Sequence, residues 1–159
     1  MSERVFIDTN VFVYADDPNP KSGAKRERAR AVLSPLISSR RAVVSTQILQ
    51  EYFNAATKKL AKSAERARWR VEAMARLEVV VIRPELVLAA IDLHRLHSLS
   101  LWDALVIASA AAGNCARLLT EDLQHGQTIS GVLIENPFST SSRASEPRAR
   151  YSTRSSARL

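Results

Sequence analysis

The stretch Arg4-Val5-Phe6-Ile7-Asp8 decides the fold: three large apolar side chains in succession, too few for a helical stripe and without polar alternation, ending on a carboxylate. Such a run is expected of a strand buried on both faces of a sheet. Residues 42–45 (Ala-Val-Val-Ser) and 78–82 (Glu-Val-Val-Val-Ile) have the same short, β-branched character, and 117–120 and 132–135 bring the expected strands to five. Between them the apolar residues take helical spacing. Ala29, Val32, Leu33, Leu36 and Ile37 recur at three- and four-residue intervals, as do Ile48, Leu49, Tyr52, Phe53, Ala56 and Leu60. A third helix is expected from Ser63 to about Arg76, and a fourth opens with Pro84, where a missing N–H costs nothing. A fifth runs from just after Ser100 to the stop signals Gly113 and Asn114. Strands alternating with helices imply βα units, so the expectation is a single α/β/α sandwich on a five-stranded, mainly parallel sheet over residues 1–138. Residues 139–159 turn to Ser, Thr, Arg and Ala and read as a disordered extension.

Composition removes several function classes. With 159 residues, 46% of them hydrophobic and 25% charged, the chain can bury a core without staples. Its one cysteine, Cys115, allows neither an internal disulfide nor a cysteine-ligated zinc site. The N-terminus meets charged residues before any secretory apolar region forms, and no apolar run is long enough for a bilayer, so a cytoplasmic protein is expected. Glycines occur only at 23, 113, 126 and 131, which leaves no Walker-type phosphate loop and no dinucleotide fingerprint. His94 and His97 stand three apart on a helix, outside any zinc-protease frame, and read as surface residues.

What remains is a set of carboxylates placed where this fold class binds ligands, beyond the carboxyl ends of the strands. Asp8 ends the first strand, and Glu121 and Asp122 follow the strand at 117–120. Asp103 opens a helix three residues after Ser100, and Glu51 lies beside the apolar stripe of its helix. Each has a purely structural reading: Asp103 as the acid of a Ser-x-x-Asp capping box, Asp8 as the start of a turn, Glu51 as a solvated helix residue, Glu121 and Asp122 as loop residues. Periodicity does not fix strand order, so it does not say which of them meet.

The runs Val5-Phe6-Ile7-Asp8-Thr9-Asn10-Val11, Gln50-Glu51-Tyr52, Ser100-Leu101-Trp102-Asp103-Ala104 and Leu118-Leu119-Thr120-Glu121-Asp122-Leu123 occur in an order that resembles PIN-domain ribonucleases, specifically VapC-type toxins of toxin–antitoxin pairs. The resemblance covers about residues 3–138. It implies that Asp8, Glu51, Asp103 and Asp122 form one catalytic pocket. Asp8 and Asp103 would be metal ligands, directly or through water, with Asp122 or Glu121 as the fourth acid and Glu51 either completing the shell or orienting the attacking water as general base. It further implies Thr9, Asn10 and Thr120 as supporting donors or phosphate contacts, a cognate antitoxin as partner, and a homodimer. Clustered carboxylates repel by roughly 4 kcal/mol per pair at 4 Å and a dielectric of 20, so they call for a cation, and hard oxygen ligands select Mg²⁺ with Mn²⁺ as substitute. The expected activity is Mg²⁺-dependent hydrolysis of RNA phosphodiester bonds. Two alternatives stand beside it: a non-catalytic RNA-binding module of the same fold, and an aspartyl-nucleophile phosphatase, which wants a second Asp where the chain has Asn10.

Charge along the chain agrees with an RNA substrate. The net charge of +7 divides into −3 over residues 1–20, +10 over 21–76, −4 over 77–138 and +4 over 139–159. Lys25, Arg26, Lys58, Lys59 and Lys62 fall in the +10 segment and are the expected RNA contacts.

Overall fold

A computed structural model describes residues 2–139; the expected disordered extension therefore lies, from residue 140, outside the described residues. The elements in chain order are β1 (Arg4–Ile7), α1 (Thr9–Asp16), α2 (Gly23–Ser38), β2 (Ala42–Ser45), α3 (Thr46–Lys58), α4 (Ala64–Met74), β3 (Glu78–Val80), α5 (Pro84–His97), α6 (Leu101–Ala112), β4 (Cys115–Leu119), β5 (Thr128–Ile129) and β6 (Val132–Glu135). They form one sheet in the order β3-β2-β1-β4-β6-β5, parallel throughout except for β5 against β6. The five expected strands are all present, and the sheet has six rather than five. The sixth, β5, is two residues long and joined to β6 by Ser130 and Gly131, both with positive φ (51° and 75°). That is the two-residue hairpin turn whose twist matches paired strands.

Helices α1 to α4 arise in the connections from β1 to β3 and pack on one another, whereas α5 and α6 arise between β3 and β4 and pack as a pair. Right-handed crossovers put the two groups on opposite faces. β1 and β2 are buried as expected of central strands, but β3 is the sheet edge and is only half-buried or exposed. Its apolar residues Val79 and Val80 pack the core on one side, while Val81 beyond it is exposed.

Helix starts follow local chemistry. The hydroxyls of Ser45, Ser63 and Ser100 accept from the N–H groups of Ile48, Arg66 and Asp103, satisfying donors that the first turn leaves orphaned. α1 was not among the expected helices, because its residues 9–15 are all buried and it therefore lacks a polar face to reveal its period. Its cap is Asp8, extended in backbone, whose Oδ1 accepts from Thr9 N at 2.8 Å.

At the end of α6 the left-handed residue is Asn114 (φ 54°), not Gly113. Gly113 is favoured by space instead: a Cβ there would lie 3.1 Å from Val80 Cγ2 and 3.2 Å from Val43 Cγ1, so both valines would have to give way slightly. Asn tolerates the left-handed conformation better than other side chains. Asn114→Ala is expected to cost about 1 kcal/mol in urea denaturation, and Asn114→Gly to cost nothing or to stabilise. Equal stability of the alanine and glycine variants would contradict this account.

Candidate active site

β1 is the first strand of the chain yet lies inside the sheet, with β2 and β3 on one side and β4, β6 and β5 on the other. The chain order reverses between β1 and β4, which opens a crevice beyond their carboxyl ends. Register closes its floor: Ile7 pairs with Leu119, and Asp8 N donates to Leu119 O at 3.0 Å. Asp8 and Thr120 thus leave adjacent strands side by side, and Thr120 Oγ1 donates to Asp8 Oδ2 at 2.7 Å. Thr120 Oγ1 also accepts from Asp122 N at 3.1 Å, and Asn10 Nδ2 donates to Asp122 Oδ2 at 3.1 Å. Asp8, Thr9, Asn10 and Thr120 are fully buried. One connected network therefore places Asp8 and Asp122 at the same rim, supported by the three small polar residues singled out in the sequence.

The other two expected acids lie on helices. Glu51 lies on α3 one turn beyond Gln47, and so on the same face. Gln47 Nε2 donates to the carbonyl of Trp102 at 3.3 Å, tying the first turn of α3 to the first turn of α6, where Asp103 sits. Gln47 is 5% exposed, and its role had no signal in the sequence beyond its place beside the helix start. Trp102 is half-buried and packs with Leu99, Leu101 and Ile82 around Leu105, as a packing residue rather than an open stacking platform.

Burial and neighbouring negative charge act on Asp122. Desolvation first, then the carboxylates of Asp8, Glu121 and Glu51, push its pKa up to about 7 against the opposing hydrogen bond from Asn10. Lys59, near the C-terminal end of α3, is drawn below the ordinary lysine range by desolvation, while the Asp122 carboxylate acts the other way.

The neighbouring acid faces elsewhere. Glu121 is 8% exposed; its Oε1 accepts from the Tyr14 hydroxyl at 3.0 Å and its Oε2 from Lys25 Nζ at 3.0 Å. Lys25 also donates to Tyr14 Oη at 2.9 Å and lies over the rings of Tyr14 and Phe138, at 4.3 and 5.4 Å from their centroids. Of the cations expected on RNA, Lys25 is thus engaged in this buried clamp, and Arg26 Nη1 donates to the carbonyls of Asp17 and Asn19. Lys58 and Lys59 are exposed at the end of α3, with Lys62 half-buried in the turn that follows. Cys115 is buried, its thiol pushed up to about 12 chiefly by desolvation, which suits a passive packing residue. The imidazole of His94 is engaged with the carbonyl of Leu99, which closes the end of α5.

The family profile for the PIN domain matches residues 5–128. The chain belongs to the PIN-domain family. Solved structures share the fold of this PIN-domain chain at low identity. A toxin–antitoxin complex from Klebsiella pneumoniae has a TM-score of 0.63 and 18% identity, covering 86% of this chain and 99% of that one. DNA-bound VapBC from Salmonella typhimurium has a TM-score of 0.59 and 24% identity, covering 86% and 99%. A sarcin-ricin loop cleaving VapC toxin of Mycobacterium tuberculosis has a TM-score of 0.53 and 16% identity, covering 72% and 86%. Compared with curated proteins, the sequence matches none.

The donor chemistry of this PIN-domain site fits a hard divalent cation. Its groups are carboxylate, amide and hydroxyl oxygens, and Thr9 Oγ1 and Asn10 Oδ1 are buried without a hydrogen-bond partner. Among the described residues no three His, Cys, Asp or Glu side chains already form a closed metal cage. Mg²⁺ does not require one, since it is commonly held by one or two carboxylates with water and substrate oxygens completing the shell.

Two outcomes follow from these electrostatics. Asp122 is raised from 3.8 to about 7 on folding, so its stability cost is absent below about pH 4, grows as pH rises and is complete above about pH 7. In EDTA, Asp122→Asn is expected to match the native chain near pH 4 and to melt several degrees higher at pH 8; a native-like Tm at pH 8 would contradict it. Lys25→Met leaves Glu121 buried without its cation and is expected to cost about 3 kcal/mol in denaturant unfolding, with Lys25→Arg costing less.

Proposed function

We propose that this chain is a Mg²⁺-dependent endoribonuclease acting as the toxin of a VapC-type type II toxin–antitoxin pair, with Mn²⁺ as a plausible substitute. The observation that carries the reading is the network Asp8–Thr120–Asp122–Asn10 at the switch point of the sheet, with the charge of Glu51 acting on it. Family membership and the fold shared with toxin–antitoxin proteins support it. The sarcin-ricin loop cleavage of one such relative supports RNA as the substrate class.

Asp8 and Asp103 are the metal-holding residues of this reading, with Glu51 and Asp122 completing the site. A divalent ion held there would supply Lewis acidity to the phosphate and to the attacking water. Thr120 fixes the Asp8 carboxylate by donating to Oδ2, while the Thr9 N–H holds Oδ1, so the group keeps one orientation. Asn10 holds Asp122 by its amide nitrogen. Glu51, across the pocket on α3, accepts the proton of the attacking water as general base. Asp122 rather than Glu121 is the fourth acid, because Glu121 is committed to Tyr14 and Lys25.

Antitoxin docking and homodimerisation belong to the same reading, and the exposed apolar residues Trp69, Leu88 and Leu96 offer surface for them. No helix among the described residues is long and apolar enough to cross a membrane, which accords with a cytoplasmic place of action.

Incubation of total RNA with the full chain in Mg²⁺ is expected to yield discrete cleavage products that EDTA abolishes. Asp8→Asn is expected to reduce cleavage to background while retaining a cooperative melt. RNA binding without cleavage by the native chain in saturating Mg²⁺ or Mn²⁺ would replace the nuclease with an RNA-binding module.

A further inference from the structure

On the α1–α4 side, α2 faces the strands β4 and β6 without closing fully against them. A cleft of about 680 Å³ lies there, between the outer half of α2 and the strand residues Arg117, Leu119 and Glu135. The volume falls within the range of nucleotide-sized ligand sites. Val32, Leu36 and Leu119 give it an apolar floor.

Its rim carries unbalanced positive charge. Arg117 is matched by carboxylates, pairing with Glu135 at 3.0 Å and Glu3 at 3.3 Å. Arg28 and Arg41 are not. Each is tethered through Nε alone, to the Pro137 carbonyl and to Ser39 Oγ, both at 2.9 Å. Their terminal guanidinium nitrogens have no partner among the described residues, a fork suited to phosphate oxygens. His125 completes the rim. Its Nδ1 accepts from Asn136 N at 3.0 Å, which in the neutral imidazole puts the proton on Nε2 as a donor.

The cleft and the acidic pocket are served by one loop. Asp122 bonds to Asn10 at the pocket, and His125, three residues on, lines the cleft, a chain distance of at most about 11 Å. The loop is fixed at both ends. Glu121 sits in the Tyr14–Lys25 clamp, and Gly126 N and Gln127 O are hydrogen-bonded to Ile134, both at 2.8 Å. Ser139 also lines the cleft, and the sequence that follows it carries five Arg and one Glu.

We propose that this cleft is a substrate subsite that seats the single-stranded RNA flanking the scissile phosphate. Arg28 and Arg41 take backbone phosphates, His125 Nε2–H donates to the same strand, and the apolar floor receives a base or ribose. An acidic peptide would satisfy the two arginines as well, but a nucleic-acid strand brings an anion and a flat ring with every residue, which is what cations around an apolar floor take. The basic sequence after Ser139 continues the same polyanion-binding character. The inference rests on the ribonuclease reading and adds to it a site away from the carboxylates.

The test uses the full chain carrying Asp8→Asn, so that RNA stays intact, in Mg²⁺, with a labelled single-stranded RNA of random sequence followed by fluorescence anisotropy across a salt series. Adding Arg28→Ala and Arg41→Ala is expected to weaken binding roughly tenfold and to lower the slope of log K against log salt by about 1.4, two single-strand phosphate contacts. Adding Arg83→Ala and Arg95→Ala instead removes the same charge from exposed positions on α5 and its cap, and is expected to change neither quantity. Arg28→Gln with Arg41→Gln, which keeps the side-chain stems, serves if the alanine variant melts early. Unchanged affinity and slope overturn the subsite, as does an equal loss in the control pair. Loss of oligoglutamate binding with RNA binding intact overturns it in favour of an acidic peptide. None of these results touches the nuclease reading, which fails separately if the native chain cuts no RNA.

Discussion

The buried carboxylate of Asp8 is the constraint on which the site depends. One oxygen caps α1 through Thr9 N–H and the other takes the hydroxyl of Thr120, so a single side chain joins the end of β1, the start of α1 and the end of β4. A carboxylate out of water needs such partners, because an unpaired ion in a low-dielectric interior costs several kcal/mol. Both are supplied by residues whose positions the backbone already fixes. The parallel pairing of Ile7 with Leu119 brings Asp8 and Thr120 together, and the helix start puts the Thr9 N–H in line. Structure and chemistry coincide at this residue: what terminates the strand also orients an acid in the crevice.

Fixing Asp8 fixes Asp122 indirectly. Thr120 and Asn10 each bond to Asp122, so the loop after β4 is held at its acidic end by groups that also surround Asp8. Glu121 still adds to the negative charge felt by Asp122, but its own carboxylate is turned away to Tyr14 and Lys25, where the lysine pairs with it and two aromatic rings cover the pair. The result is an uneven distribution of adjacent acids, one paired and one held near other carboxylates with its proton affinity raised. The second is a state that a cation bound beside it would relieve.

Much of this was legible in the sequence because it depended on local signals. Short apolar runs marked five strands, serines marked helix starts, and all the acids but Glu51 stood where strands or helices begin or end. What was not legible depended on context. α1 is buried on all sides and so carries no period; β5 is two residues long and is set by the Ser130-Gly131 turn rather than by apolar content. Strand order, on which the meeting of Asp8 with Asp122 rests, is a property of the crossovers and not of any one segment. Lys25 was assigned to RNA because a lysine in a basic stretch is ordinarily solvated. Only the tertiary approach of Glu121, 96 residues away, turns it inward.

The charge separation seen along the chain also changes meaning in three dimensions. Of the +10 segment, Lys25 is internal, Arg26 and Arg30 cap backbone carbonyls, and Arg70 is bonded to Asp16 at 2.8 Å. Cations that look alike in sequence therefore divide into those that hold α1, α2 and α4 together and those left facing solvent. Lys25 and Arg70 are each paired with a carboxylate and add little to the field around them. Positive charge facing solvent includes Lys58 and Lys59 at the end of α3 and Arg28 and Arg41 lining the cleft. Lys59 is close enough to Asp122 for their charges to interact, and the cleft that Arg28 and Arg41 line meets the same loop at His125; an extended phosphodiester chain needs cations on both sides if its middle is to approach carboxylates that repel it.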